Sequence, residues 1–130
     1  MKTTFEIEGL DSLEKTLGEM INKYPQEFEK LVIQVAYELQ GMVKIKTPRK
    51  TGRLRDAWRV GKVKRKDGGL YVEVYNNVEY AEFVNYGHRT GKTGFKEGVY
   101  MLEISMEKLQ ERMPPFLKTW IENFIRENGL

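Results

Sequence analysis

A regular stripe of apolar residues between Pro25 and Lys46 constrains the fold of this chain more than any other feature of its sequence. Pro25 suits the first turn of a helix, and Thr47-Pro48 disfavours its continuation. The pattern therefore predicts one long amphipathic helix with its apolar face in a core. The residues of the stripe recur every three or four positions: Phe28, Leu31, Val32, Val35, Leu39, Met42 and Val43.

Patterns on either side of this helix predict a small antiparallel sheet. Residues 3–8 alternate between polar and apolar types, which is typical of a strand. A basic run at 57–65 and an apolar run at 70–76 flank the turn signal Lys66-Asp67-Gly68-Gly69, so we expect a central hairpin. Trp58 falls on the apolar side of the first of these runs and is expected in the core.

The second half of the chain predicts helices separated by a loop. Residues 78–86 show the spacing of a short helix, and 87–98 contain four glycines and few apolar residues, which favours a mobile loop. Apolar spacing over 99–127 predicts C-terminal helices interrupted at Pro114-Pro115. A strand over 99–104 is an alternative that the residue types also permit.

These elements predict a single α+β domain over residues 1–130, with a small antiparallel sheet packed by the long helix and the C-terminal helices. Gly52 lies where the long helix gives way to the hairpin, so a positive φ is expected there and Gly52→Val should strain the fold. The predicted parts are the strand and helices at 3–46, the basic hairpin at 54–76, the short helix at 78–86, the mobile loop at 87–98 and the C-terminal helices at 99–127.

Composition argues against an enzyme. The chain has no cysteine, one histidine and two serines, which leaves little for thiol, metal or nucleophilic catalysis, so we expect no cofactor and no metal. A mean hydropathy of −0.58 and the lack of a long apolar run predict a protein without a membrane partner that acts in a cytoplasm. The Gly-Lys-Thr at 91–93 stands one residue too close to Gly87 for a phosphate-binding loop.

Positive charge is concentrated in one segment. Residues 44–66 hold 11 of the 22 lysines and arginines and only one acidic residue. Such a segment attracts anions, either nucleic acid or an acidic protein surface such as that of another copy. A small nucleic-acid-binding protein that uses the 54–76 hairpin is therefore an alternative reading. The candidate contacts to DNA or to an acidic partner are Arg59, Lys62, Lys64, Arg65 and Lys66.

Several short motifs, taken in order, resemble the minor tail-component family of long-tailed bacteriophages. They are Gly9-Leu10-Asp11-Ser12-Leu13, the Thr47-Pro48 and Thr51-Gly52 pairs with Leu54-Arg55, and Val78-Glu79-Tyr80-Ala81 followed by Gly87 before a basic loop. The resemblance covers roughly residues 5–127. The Pro114-Pro115 pair and the acidic 103–111 stretch have no counterpart in it.

The resemblance implies a tail-completion or head–tail joining protein. Copies would form a ring, a hexamer being one such arrangement, beside the tail tube or tail terminator proteins and the head connector. Double-stranded DNA would be passing cargo. The protein would assemble in the bacterial host cytoplasm and reside in the tail or neck of the virion. The implied interface residues are Thr51, Gly52, Leu54, Arg55, Tyr80, Glu82, Tyr86, Gly87, His88, Arg89, Lys92 and Phe95.

Overall fold

The structure, a computed structural model, describes residues 1–7, 14–50, 52–66 and 69–129. Thr51, the Asp67-Gly68 part of the predicted turn and the whole motif at 9–13 lie outside the described residues. None of the described helices is both long and apolar enough to cross a membrane. In chain order the elements are β1 (Lys2–Ile7), α1 (Glu14–Lys23), α2 (Pro25–Lys46), α3 (Gly52–Asp56), β2 (Trp58–Val60), β3 (Lys64–Lys66), β4 (Gly69–Asn76), α4 (Ala81–Tyr86), β5 (Gly87–Thr90), β6 (Gly94–Glu97) and α5 (Met101–Glu127).

The main sheet is built around β4, and this confirms the α+β class. Strand β1 pairs antiparallel with one edge of β4, and β2 and β3 pair antiparallel with the other. Every second residue of β4 is buried: Leu70, Val72, Val74 and Asn76. The alternation that predicted a half-buried strand therefore places one face of the sheet in the core and leaves the other at the surface.

A bulge divides the predicted first strand of the hairpin into β2 and β3. Val60 pairs with Val74 and Lys64 with Tyr71, so three residues on one side oppose two on the other. Gly61 donates its N–H to the carbonyl of Glu73 at 2.8 Å and begins the bulge. Because the extra residue shifts the register by one, it changes which face of the sheet each following side chain occupies.

Helix α2 occupies the centre of the core, as its apolar stripe predicts. Phe28, Leu31, Val32, Val35, Ala36, Leu39 and Val43 are all buried, and Met42 packs against them. One side of α2 packs on β2 and β4, and another side packs along α5. At one end of that helix pair, Phe28 lies edge-on to Trp120 and Phe124, with ring centroids 5.1 and 5.7 Å away. The long helix therefore joins the sheet to the C-terminal helix.

The Thr47-Pro48 pair ends α2 and connects it to two other elements. The Thr47 hydroxyl donates to the Val43 carbonyl at 2.7 Å and accepts the Trp58 indole N–H at 3.0 Å. Both side chains are almost completely buried, and the sulfur of Met101 lies 3.5 Å from the hydroxyl. Trp58 is thus a core residue, as predicted, and its polar atom has an acceptor.

Three sequence-based predictions of local structure are wrong. Helix α4 begins at Ala81 instead of at 78, because the Asn76 side chain accepts the Val78 N–H at 2.9 Å and holds the chain in a turn. Residues 87–97 form the β5–β6 hairpin and not an irregular loop. Residues 101–127 form one helix, with no break at Pro114-Pro115 and no strand over 99–104.

The positive φ expected at Gly52 is also wrong. Gly52 begins α3, and the glycines with positive φ in the described chain are Gly87, Gly91 and Gly129. An added Cβ at Gly52 would lie 3.7 Å from the nearest heavy atom, a carboxylate oxygen of Asp56, which is ordinary contact. Gly52→Val therefore has no strained backbone to accommodate.

Candidate assembly interface

The β5–β6 hairpin, residues 87–97, is called the arm below. Its base depends on glycines that allow the backbones to approach closely. Gly87 has φ +90°, and a Cβ there would lie 2.5 Å from the Lys96 carbonyl oxygen. A Cβ on Gly98 would lie 2.2 Å from the Asn85 carbonyl oxygen. Because no side chain fits at either position, the fold requires glycine at both ends of the arm, where it joins the rest of the chain.

Large apolar side chains are exposed on and around the arm. Five of them are 37–58% exposed: Phe83, Tyr86, Phe95, Val99 and Tyr100. The ring centroids of Phe83 and His88 are 5.9 Å apart, and those of Tyr86 and Tyr100 are 6.5 Å apart. Single exposed apolar residues are ordinary on a protein surface, but a concentration of this kind is typical of an interaction site.

The arm presents different side chains on its two faces. Arg89 pairs with Phe95 across the hairpin, and His88 pairs with Lys96, so the two pairs point to opposite faces. The Nδ1 atom of His88 is buried and has no hydrogen-bond partner among the described residues. One face therefore combines the apolar Phe95 with the basic Arg89, and such a face is suited to contact surfaces outside its own chain.

Asn85 fixes the position of the arm relative to the body. Its side chain is fully buried, its amide donates to both Glu103 oxygens at 3.0 and 2.8 Å, and its carbonyl oxygen accepts the Leu102 N–H at 3.2 Å. Its backbone carbonyl also accepts the Tyr100 N–H at 3.0 Å. Asn85 therefore provides an acceptor for the Leu102 N–H, one of the amides in the first turn of α5 that have no partner within the helix. Burial, with a smaller effect of the nearby Glu103 carboxylate, raises the pKa of Tyr86 above its ordinary value.

The surface of the main sheet that faces away from α2 is called the outer face below. Tyr71, Glu73 and Tyr75 of β4 lie half-buried along it. They line a shallow groove with Gly61, Lys62 and Lys64. The Lys2 ammonium lies 3.6 Å from the Glu73 carboxylate. The groove therefore combines aromatic rings with a predominantly positive rim.

The structure brings four of the five predicted basic contact residues to one side of the sheet. Arg59 and Lys64 are paired with Tyr75 and Tyr71, so they share the outer face, and Lys66 lies on that face one pair further on. The exposed Lys62 lies at the bulge beside them. Arg65 points to the other face, where its guanidinium donates to the Asn22 side chain of α1.

An exposed ion pair connects α3 to the turn before α4. The Arg53 guanidinium donates two hydrogen bonds to the Glu79 carboxylate, at 2.9 and 3.0 Å, and lies 5.6 Å from the Tyr80 ring centroid. The hydrogen bonds from Arg53 lower the pKa of Glu79 below its ordinary value, and those to Glu79 raise the pKa of Arg53. Sequence reasoning missed this pair, because 26 residues separate its members.

The remaining predicted interface residues do not lie together. Leu54 is 1% exposed and belongs to the core, so its side chain is not available to a partner. Arg55 lies near its neighbour Asp56, with 3.3 Å between nitrogen and oxygen. Glu82 lines a depression beside Lys2 and Tyr75. Lys92, at the tip of the arm, is exposed, as is Arg89.

Sequence reasoning also missed the residues that shape the base of the arm. Asn85 stands in a helical pattern that gives no sign of its distant partner Leu102, and the pattern of the short helix does not show that Phe83 is exposed. The left-handed backbone of Tyr100, with φ 48°, has no sequence signal either. The glycines at 87, 94 and 98 could have indicated the hairpin, because glycines at such positions permit a tight hairpin as well as a loop.

Together, the arm and the outer face define a structural subunit that presents surfaces for other molecules. A family model described as "Bacteriophage HK97-gp10, putative tail-component" matches residues 10–87. The match covers more than half of the chain, and the protein belongs to this family of phage tail components. Comparisons with curated proteins and with solved structures find no match. The resemblance seen in the sequence is thereby confirmed at the level of the family.

Proposed function

We propose that the protein completes the phage tail and enables head–tail joining as a subunit of a ring in the neck of the virion. Membership of a tail-component family supports this proposal. It implies assembly with other virion proteins, and the tail tube or terminator on one side and the head connector on the other are the proposed neighbours. We propose a structural role without catalysis or cofactor.

The observation that carries the proposal is the exposed arm. Five large apolar side chains at 37–58% exposure would be costly to leave in water on a protein that acts alone. A ring needs a heterologous contact, in which one surface of a subunit meets a different surface of the next. A projecting hairpin supplies one half of such a contact.

The outer face suits the lining of a channel. Lys62, Lys64 and Lys66 are exposed there without an ion pair among the described residues. Lysines that alternate with tyrosines contact phosphates without reading bases, so weak and uniform contact with passing double-stranded DNA is expected. In a ring, the same face could also meet an acidic surface of a neighbouring subunit.

The experiment that tests the proposal is complementation of a phage or prophage that lacks this gene. The triple variant Lys62→Glu, Lys64→Glu, Lys66→Glu should fold normally but yield separate heads and tails in electron micrographs, with a large loss of infectious particles. The matched control reverses three exposed lysines away from this face: Lys50, Lys108 and Lys118. Normal joined particles in the gene's absence would overturn the proposal.

The same face supports a second candidate function, binding of nucleic acid. Tyr71 and Tyr75 beside Lys62 and Lys64 combine stacking surfaces with phosphate-binding groups. A nucleic-acid-binding protein should bind free DNA tightly at low salt and lose affinity steeply as salt rises. Gel shifts over a salt series separate this candidate from a channel lining, which should bind free DNA weakly under all conditions.

A further inference from the structure

The outward side of α5 carries a row of acidic residues. Glu103, Glu107 and Glu111 are exposed and spaced by four positions, so they lie along one side of the helix over about 12 Å. Glu107 and Glu111 form no ion pair with any described residue. Within the part of the chain that the structure describes, Glu107 and Glu111 are therefore negative charges without a cationic partner.

The proline pair adds hydrogen-bond acceptors and apolar surface at the end of this row. Pro114 and Pro115 have no N–H, so the carbonyl oxygens of Gln110 and Glu111 lose the amide donors that a regular helix supplies. All four residues are exposed. Proline within a helix costs about 3 kcal/mol or more, so two in succession are a notable departure from local preference. Such departures are expected where function requires them.

The arm has the complementary chemistry. Arg89, Lys92 and Lys96 supply cationic N–H donors, and none of them forms an ion pair among the described residues. Phe95 is 58% exposed beside Arg89. From Arg89 to the tip at Lys92 the arm extends about 10 Å, judged from the rise per strand residue, and this is close to the length of the acidic row.

We infer that the arm of one copy docks on the outward side of α5 of the next copy. Lys92 and Arg89 neutralise Glu107 and Glu111 and donate to the free carbonyl oxygens, and Phe95, on the same face of the arm as Arg89, packs on the proline rings. A second copy is the occupant because both halves of the contact are present on one chain and have no ion pair within the part of it that the structure describes. This inference rests on the proposed ring and names its contact.

Cysteine cross-linking tests the contact directly, because the chain has no cysteine of its own. The double variant Lys92→Cys, Glu111→Cys should give a ladder of covalent multimers under mild oxidation, both in concentrated purified protein and in isolated tails. In the control, Glu122→Cys replaces Glu111→Cys, at another exposed acid further along α5. Absence of the ladder from both samples, or an equal ladder from the control, overturns the inference.

Charge reversal gives a second readout that does not depend on new thiols. Arg89→Glu with Lys92→Glu should weaken self-association about tenfold or more in sedimentation velocity, and Glu107→Lys with Glu111→Lys should do the same. The protein that carries all four changes should recover association. If the four changes together associate no better than either pair, the inference is wrong.

These results are distinguishable from failure of the proposed function. A protein that forms the ladder in solution but is absent from virions would retain the contact and refute the role in the tail. A protein that is present in tails but forms no ladder would retain the role and refute the contact.

Discussion

Replacing Asn85 by alanine should destabilise the protein through a single buried hydrogen-bond donor. In the native fold, the Leu102 N–H reaches the Asn85 side chain at 3.2 Å, and Leu102 itself is 5% exposed. Alanine removes the acceptor, and water has little access to replace it. The Glu103 carboxylate, which is exposed, loses two amide hydrogen bonds but can be hydrated.

The size of the effect follows from these contacts. Leaving a buried N–H unsatisfied costs about 1–3 kcal/mol, and removing a side chain that caps a helix costs about 1 kcal/mol. Both figures describe the loss of the acceptor for the Leu102 N–H and are not added. We therefore expect Asn85→Ala to lower the free energy of unfolding by about 2 kcal/mol. For a domain of this size that corresponds to a fall in Tm of about 6–10 °C.

Thermal melts followed by circular dichroism measure this change. The matched control is Asn77→Ala, because Asn77 is exposed and substitution of such a residue changes stability by about 0.5 kcal/mol or less. Asn85→Asp keeps an acceptor for Leu102 but brings a second carboxylate to Glu103, and adding Glu103→Gln should recover part of the loss. If Asn85→Ala and Asn77→Ala melt within about 2 °C of each other, the capping argument is refuted.

Three further predictions concern other parts of the fold. Gly98→Ala should displace the arm, since its Cβ would lie 2.2 Å from a backbone oxygen, and arm resonances in NMR spectra should shift. Thr47→Val should cost about 1–3 kcal/mol in chemical denaturation, because the buried Trp58 indole N–H loses its acceptor. Arg53→Met should raise the pKa of Glu79 towards its ordinary value in an NMR titration. Because the native pKa of Glu79 is lowered, the stability from this pair is present at neutral pH and lost as pH falls through that pKa.

Each of these predictions has a control within the chain. Gly91→Ala should leave the arm in place, because no heavy atom lies within 4 Å of its Cβ position, although its φ of +67° carries some strain. Thr47→Ser keeps the hydroxyl and should retain most of the stability. Arg55→Met should leave the pKa of Glu79 unchanged, since Arg55 contacts Asp56 instead. The argument for the arm is contradicted if its NMR spectra are unchanged in Gly98→Ala. The argument for Thr47 is contradicted if Thr47→Ser loses as much stability as Thr47→Val, and that for the ion pair if Arg53→Met leaves the pKa of Glu79 unchanged.

Local sequence patterns predicted those elements in which the periodic spacing of apolar residues alone identifies the buried face. The stripe of α2 and the alternation of β4 each specify a buried face without reference to the rest of the chain. The bulge at Gly61 was not predicted, because a one-residue shift leaves the polar and basic residues of β3 equally acceptable on either face. Leu54 was assigned to an interface through a motif, although its apolar side chain alone favours the core.

Specific contacts between individual groups decided the places where prediction failed. The start of α4 depends on the hydrogen bond that the Val78 N–H donates to the Asn76 side chain, and the arm depends on close approach of Gly87 and Gly98 to other backbone atoms. None of these contacts leaves a periodic trace in the sequence. Mobility of residues 87–98 in the isolated protein stays a prediction, and amide exchange measures it: strong protection throughout the hairpin would contradict it.

The two largest departures from sequence-based expectation lie on the two halves of the inferred contact. The arm replaces an expected loop, and α5 continues through Pro114 and Pro115, where a break was expected. A helix tolerates this pair because the affected carbonyl oxygens lie at the surface and because Leu109 on one side and Phe124 on the other are buried in the core. Core packing thus compensates locally for a segment that the fold itself does not require. When a costly local feature is retained on an exposed side, beside acids without a described ion pair, its benefit is expected in a contact with another molecule. The basic arm has the charge that matches those acids, and Phe95 adds an apolar surface that matches the proline rings.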